Sequence, residues 1–217
     1  GGTQVHTAQE DYQSDDLHFT PTVRLGYQFN NSFQIRYNGR ITTQSPPLGE
    51  MNEIELAIDS LQSRRGNPLL NPSTYFNNML TVSYEKRPIN ANLQIVDNYY
   101  SRPVGESIFE ENGKFIHMME NQKNLHQITT TAYVKTSIMN GNMNIYVRGG
   151  LNRLKSKGNT YNHTLNNWFI SSGIDYTWKK WNPFWDIGTR RNSLSGETVS
   201  NAGQSTTLGL RYRLNNG

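Results

Sequence analysis

The side chains that most often carry catalysis or bind metals are scattered in this chain. No two histidines are four residues apart, and none has an acidic or thiol partner at metal-ligand spacing; the five are His6, His18, His117, His126 and His163. Cysteine is absent, which excludes disulfides, thiolate metal sites and a cysteine nucleophile. The Gly-x-Ser-x-Gly motif of serine hydrolases is also missing. We therefore expect a protein that is not an enzyme, with no catalytic residue, no metal site and no cofactor.

The charged residues narrow the range of partners. The net charge is +4, yet no dense run of Lys and Arg occurs, so we expect no nucleic-acid partner. The acidic pairs Asp15-Asp16 and Glu110-Glu111 fall in a terminal segment and a predicted loop. The simpler interpretation is that these carboxylates are solvated charges in loops. The alternative is a cation-binding site in an outer loop.

The elements that would position these side chains are strands with one apolar and one polar face. In the segment STTLGLRYRL at 205–214, leucines and a tyrosine alternate with threonine, glycine and two arginines. Because strand side chains point alternately to opposite faces, this segment has an apolar and a cationic face. The same alternation recurs along the chain and predicts an all-β fold of about nine strands.

The connections between these strands alternate in length. Short turns are predicted near residues 31, 88, 141 and 181, with Asn140-Gly141 as the strongest hairpin signal. Longer connections alternate with them and are predicted at 46–73, 102–114, 155–165 and 195–204. An antiparallel up-and-down transmembrane β-barrel has this arrangement, with long outer loops at one end. A soluble β-sandwich or jelly roll is the alternative.

Composition agrees with a membrane barrel. Only 34% of residues are hydrophobic, and no apolar run approaches the roughly 18 residues that a membrane-spanning helix needs. A barrel strand needs apolar side chains only at alternate positions, and aromatic residues cluster beside the short turns, as in an interfacial girdle. We expect residues 1–16 to be a poorly structured N-terminal segment or an outer loop, and 17–217 to be a partial barrel.

A set of arginines falls on the polar face of these strands, where a barrel would have its lumen. They would either attract an anionic ligand or be solvated residues without a ligand role. The candidate lumen-facing residues are Arg24, Arg36, Arg148, Arg190, Arg211 and Arg213.

The segment RGNPLLNPSTYFNNMLTVSY at 65–84 resembles the G-N-P-x-L-x-P-E motif of TonB-dependent outer-membrane receptors, in the form common in Bacteroidetes. In that family the motif ends a long outer loop and opens the next strand. The strand SFQIRYNGRI at 32–41 is also similar to the family's pattern. Ser73 and Met79 depart from it, because the family has glutamate there.

The resemblance implies the C-terminal part of a barrel, since complete transporters of this type have about 22 strands around a plug. It implies a bacterial outer-membrane receptor for active uptake of a scarce nutrient such as a siderophore, cobalamin or a glycan. The implied partners are outer-membrane lipid, a plug domain, a TonB-type energy-coupling protein and the small-molecule or glycan ligand. Acidic groups of the plug are further candidate partners for the lumen-facing arginines.

Within this interpretation residues 46–73 form a ligand-facing loop with a short helix over Met51–Leu61. Gly66-Asn67-Pro68 would return the loop to the barrel wall. The candidate ligand-facing residues are Glu53, Arg64, Arg65 and Asn67. Two alternatives stay open: a small standalone outer-membrane barrel with a structural or adhesive role, and a soluble carbohydrate-binding β-sandwich.

Overall fold

The computed structural model describes residues 20–189, 192–195, 198–201 and 203–214, and the segment predicted at residues 1–16 lies outside them. In those ranges the chain forms strands, one helix of a single turn and a short 3-10 helix at Met139–Gly141. In chain order the elements are β1 (Thr22–Gln28), β2 (Phe33–Gln44), α1 (Leu48–Met51), β3 (Glu55–Ala57), β4 (Gln62–Arg65), β5 (Ser73–Lys86), β6 (Ile89–Ser101), β7 (Val104–Glu111), β8 (Lys114–Asn121), β9 (Asn124–Ile138), β10 (Met143–Lys157), β11 (Asn162–Tyr176), β12 (Trp181–Thr189), β13 (Ser193–Ser195), β14 (Thr198–Ser200) and β15 (Gln204–Tyr212).

Nine of the described strands form one antiparallel sheet, which we call the large sheet. Its order is β1-β2-β5-β6-β9-β10-β11-β12-β15, so each strand pairs with the next member along the chain. This confirms the predicted antiparallel up-and-down sheet of about nine strands. β1 and β15 are the two edges of the sheet as described, so it is open.

The register places the alternating apolar residues of neighbouring strands side by side. One continuous row crosses seven strands: Leu25, Tyr37, Leu80, Ile95, Thr130, Leu151 and Trp168. Most of this apolar face is exposed, with relative accessibilities of 63% at Leu25 and 65% at Leu151. A sandwich would bury this face under a second sheet, so the sandwich alternative is wrong.

The short turns lie together at one end of the large sheet. They connect β1 to β2, β5 to β6, β9 to β10 and β11 to β12, in agreement with the sequence analysis. At the β9–β10 turn, Asn140 and Gly141 have φ angles of 57° and 89°. Asparagine and glycine tolerate this left-handed region best, which explains their place in the turn.

The longer connections lie at the other end and contain more structure than expected. The helix predicted over Met51–Leu61 is wrong, because α1 covers only Leu48–Met51 and β3 and β4 follow it. Most of the loop expected at 102–114 is strand β7, and the connection expected at 155–165 is only 158–161. The loop expected at 195–204 includes β14.

In the described ranges, no helix has the length and apolarity needed to span a bilayer.

Candidate ligand-binding surface

Two of the long connections combine into a second sheet, which we call the small sheet. Its order is β3-β4-β8-β7, with β3 and β4 from the β2–β5 connection and β7 and β8 from the β6–β9 connection. β4 pairs with β8 in parallel, whereas the other two pairs are antiparallel. The small sheet therefore lies beyond the end of the large sheet that is opposite the short turns.

Gly66 and Asn67 fix the β2–β5 connection against the small sheet. A Cβ atom at Gly66 would lie 1.8 Å from the backbone oxygen of Asn52, so the approach of these two backbones requires glycine. Asn67 donates from its side-chain nitrogen to the backbone oxygen of Met119, at 2.9 Å. Its side-chain oxygen accepts from the backbone N–H of Leu69 at 3.0 Å. Asn67 thus has a positioning role, which agrees with the predicted return of the loop to the wall.

Arg65 joins the two connections through ion pairs. Its Nη2 lies 2.7 Å from Glu55 Oε2 and 2.9 Å from Glu111 Oε2. Ser63 Oγ donates to Glu55 Oε1 at 2.7 Å. The hydrogen bonds from Ser63 and then Arg65 hold the pKa of the Glu55 carboxyl below its ordinary value of 4.5. The same two carboxylates raise the pKa of Arg65, mainly through the hydrogen bond to Glu55.

The other predicted ligand-facing residues are more accessible. Arg64 pairs with Glu50 at 2.6 Å, and 47% of its side chain is still exposed. Glu53 is exposed between α1 and β3. The structure thus separates Arg65 and Asn67, whose contacts position the loops, from Arg64 and Glu53, which face solvent. Their contact with a ligand stays a prediction.

One face of the small sheet presents apolar side chains that the sequence analysis missed. A row of paired residues crosses this face: Leu56, Arg64, His117 and Ile108. Leu56 and Ile108 are more than half exposed, as is Phe115, two residues before His117 on the same face. The sequence KFIHMM at 114–119 has no regular alternation of apolar and polar residues, so this face left no readable signal.

His117 occupies the centre of this face. Its Nδ1 lies 3.2 Å from Glu106 Oε1 and its Nε2 lies 3.2 Å from Gln62 Oε1. The opposite face of the small sheet holds the ion pairs of Arg65 and the buried side chains of Ser63 and Ile116. The exposed face therefore combines apolar and aromatic side chains with Arg64, His117 and Glu106, and we treat it as the candidate binding surface.

Four of the six predicted lumen-facing arginines lie on the polar face of the large sheet, opposite the apolar row: Arg24, Arg36, Arg148 and Arg211. Arg36 donates to Gln34 Oε1 at 2.8 Å, and the guanidinium of Arg211 lies 4.1 Å from the ring centre of Phe184. Arg148 lies over the ring of Phe169 at 5.8 Å. Arg24 shares this face through its pairing with Asn38, Arg213 follows β15, and Arg190 lies outside the described residues.

Hydrogen bonds between side chains link the strands on the polar face. Ser137 donates to Asn144, Asn144 donates to Asp175 at 2.9 Å, and Tyr146 donates to Asp186. Across the described part of the chain, no three His, Asp or Glu side chains are grouped to hold a metal ion. Side-chain hydrogen bonds thus cross-link the strands on the polar face.

Comparison with known proteins identifies this architecture. The profile of a family described as "Outer membrane protein beta-barrel family" matches residues 2–217. The chain belongs to this family. Its large sheet is therefore part of an antiparallel transmembrane β-barrel, and the protein is located in the outer membrane. In such a barrel the apolar face contacts lipid, which explains why Leu25 and Leu151 remain exposed.

Two solved receptor structures resemble this outer-membrane barrel chain. One is the siderophore receptor PirA from Acinetobacter baumannii, with a TM-score of 0.61 and 14% identity, covering 91% of this chain and 35% of the receptor. The other is the siderophore receptor PirA from Pseudomonas aeruginosa, with a TM-score of 0.52 and 13% identity, covering 89% of this chain and 41% of the receptor. The chain spans only about a third to two fifths of these receptors. At this identity the likeness shows the fold. No curated protein matches the sequence.

Proposed function

We propose that this chain is the barrel portion of a TonB-dependent receptor that takes up a scarce nutrient, and that the small sheet contacts the nutrient. The observation that carries the proposal is the small sheet itself. Two long connections fold together beyond the barrel wall and present Leu56, Ile108 and Phe115 to solvent. Ordered loops on a rigid scaffold are where binding sites are commonly found.

The chemistry of the exposed face suggests the class of ligand. Phe115 and the neighbouring aliphatic side chains suit rings or other apolar groups, and Arg64, 47% exposed beside Glu50, can still donate to a negatively charged group of a ligand. A ferric siderophore with aromatic iron-chelating groups has both properties. Both solved structures named above are of siderophore receptors, so a ferric siderophore is the first ligand to test, before cobalamin and glycans.

The proposal includes a plug domain and a TonB-type energy-coupling protein as partners, and it assigns no catalytic step. The edges β1 and β15 of the sheet that the structure describes support a larger barrel, because a strand edge in a membrane needs a partner strand. The receptor would bind the ligand more tightly in one state of the plug than in the other. A change of plug state would then release the ligand for uptake. The polar face and its arginines would then line the lumen around the plug.

Uptake by cells that carry the intact protein tests this function. We expect saturable uptake of one radiolabelled ligand among ferric siderophores, cobalamin and oligosaccharides, and loss of uptake when the coupling protein is deleted. The double variant Leu56→Ala/Phe115→Ala should weaken binding of that ligand about tenfold or more, because two exposed contacts are removed.

Leu69→Ala is the matched control, because Leu69 is 80% exposed but lies outside the small sheet. It should leave the affinity unchanged. Equal loss in the control and the double variant would contradict the assigned surface. Uptake that continues without the coupling protein would contradict the transporter class and favour the standalone barrel with a structural or adhesive role.

A further inference from the structure

The lipid-facing side of β10 changes character towards its outer end. Leu151 is followed on the same face by Arg153, Lys155 and Lys157, all exposed, whereas the alternating Asn152, Leu154 and Ser156 are buried. Alternate residues of a strand are roughly 7 Å apart, so the three cations form a column roughly 14 Å long. We call Arg153, Lys155 and Lys157 the cation column.

The cation column begins where the apolar belt ends. Leu151 pairs with Trp168 of β11, and both side chains are about two thirds exposed, at 65% and 66%. Tryptophan is enriched at the boundary between hydrocarbon and headgroups. Arg153 is two residues after Leu151 and is the next residue on the same face. On β11, Asn166 pairs with Arg153 and Thr164 pairs with Lys155. The column is therefore at the level of the outer-leaflet headgroups.

Among the residues that the structure describes, the cations of this column have no partner. None of the three has a side-chain hydrogen bond or an ion pair with another described residue. Asp97 is the carboxylate on the same face at this level, two strands away, and its Oδ1 lies 2.6 Å from His126 Nε2. Cations at the edge of a lipid-facing surface that pair with none of the described carboxylates attract anions from the surrounding membrane.

We propose that the cation column binds phosphate groups in the headgroup of an anionic outer-leaflet lipid. The column continues directly from the surface that contacts acyl chains, so one lipid molecule can place its chains on Leu151 and its phosphates on Arg153 and Lys155. Cations near a membrane surface attract anionic lipids with a gain of about fivefold in affinity for each residue, and about 100-fold for three. Long basic side chains also adapt their height to the headgroups.

The test measures lipid binding to the intact protein in neutral detergent by native mass spectrometry. The probes are lipid A with two phosphates and the same lipid after enzymatic dephosphorylation. We expect the phosphorylated form to bind about 100-fold more tightly at low salt, with most of the difference lost at about 1 M salt. In the variant Arg153→Gln/Lys155→Gln/Lys157→Gln both forms should bind with the weaker affinity.

Lys135→Gln is the matched control, because Lys135 lies on the polar face of the neighbouring strand β9 and pairs with Tyr146. It should retain the preference for phosphate, as should Lys155→Arg/Lys157→Arg, which keeps the charge. If the triple variant does not fold, the salt dependence and the charge-conserving variant decide instead.

Three results would overturn the inference. A triple variant that binds the phosphorylated lipid as tightly as the unaltered protein would exclude the column. Displacement of the lipid by millimolar inorganic phosphate would indicate a general anion site. A second protein or another copy that covers the column and is not displaced by lipid would make it a protein interface.

Discussion

The large and small sheets show two ways in which this chain stabilises β-structure. The large sheet relies on a repeated two-residue pattern, and rows of paired residues such as Leu80 and Ile95 extend across many strands. The small sheet has short strands and relies on individual contacts, including the two ion pairs of Arg65 and the backbone approach at Gly66. The alternating pattern of the large sheet suits a surface that contacts lipid. The ion pairs and hydrogen bonds of the small sheet stabilise a structure that is surrounded by water.

This difference predicts how each region responds to substitution. A charged side chain placed on the apolar face of the large sheet would lose its water to lipid, which is unfavourable. This holds at each of the many positions on that face. The small sheet should tolerate most exposed changes and fail at a few positions where one atom fixes two segments. The folding of the small sheet should therefore depend on fewer residues than barrel assembly does.

The largest expected effect is a charge placed on the lipid-facing side. Leu93 on β6 is 40% exposed and pairs with Val82 and Ala132 on the apolar face. Leu93→Arg should reduce the free energy of unfolding by about 2–4 kcal/mol, because the guanidinium would lie in hydrocarbon. The measurement is urea unfolding of the intact protein in phospholipid vesicles.

The adjacent residue supplies the control for that variant. Gln94 lies on the polar face, where its side-chain nitrogen is 3.3 Å from the sulfur of Met79. Gln94→Arg should cost less than about 1 kcal/mol, since the cation can remain hydrated. If both variants lost the same free energy of unfolding, the two faces of the large sheet would not differ in their exposure to lipid and water.

The second prediction concerns the closest backbone approach in the small-sheet region. Gly66→Ala would place a methyl group 1.8 Å from the Asn52 oxygen, so the β2–β5 connection must move. We expect a local loss of about 1–3 kcal/mol, seen as faster hydrogen exchange at residues 52–67 with the barrel strands unchanged. Gly49→Ala is the control, because a Cβ at Gly49 would meet nothing within 4 Å. If hydrogen exchange at residues 52–67 were equally fast in the two variants, the role of Gly66 would be contradicted.

The third prediction concerns the link between the two outer connections. Asn67→Ala removes the hydrogen bond to the Met119 oxygen and leaves that half-buried carbonyl without this donor. The expected local loss is about 1–2 kcal/mol. Hydrogen exchange of β4 and β8 should increase together, because the bond joins them through the loop. An increase limited to residues 66–70 would instead show that the link does not support the small sheet.

The sequence was sufficient for the large sheet because its signal is periodic. The stretch at 205–214 predicts β15 from alternation alone, and the Asn140-Gly141 pair marks the β9–β10 turn through its tolerance of positive φ. The same signal repeats in each strand, so an error at one strand does not change the architecture.

The sequence was insufficient for the small sheet because its pairing is non-local. Four-residue β4 has no readable period of its own, and its parallel partner β8 is about fifty residues away. The apolar residues at 54–61 fit a helical spacing, yet three of them belong to or flank the exposed strand β3. β3 pairs with β4, the next strand along the chain, and this pairing replaces the expected helix. The proline and glycine residues at 66–72 lie between the end of β4 and the start of β5.

The smallest expected effect is a pH dependence of the small sheet. Ser63 and Arg65 stabilise the charged form of Glu55 and hold its pKa below 4.5. A lowered pKa means that this stabilisation is complete above the ordinary carboxyl value and disappears as the pH falls through the folded value. Proteolysis of residues 55–65 by an acid-active protease should therefore increase by a small factor, about two- to fivefold, from about pH 6 to about pH 3.

Two carboxyl variants locate this effect. Glu55→Gln should be cleaved faster at neutral pH and lose most of the pH dependence, because the titrating partner of Arg65 is gone. Glu53→Gln should leave the profile unchanged, since Glu53 has no hydrogen bond or ion pair with a described residue. The large sheet should keep its protection over this range, because long ladders of backbone hydrogen bonds join its nine strands. A parallel loss of protection in both sheets would mean that they unfold as one unit, and the contrast between the two sheets would then fail.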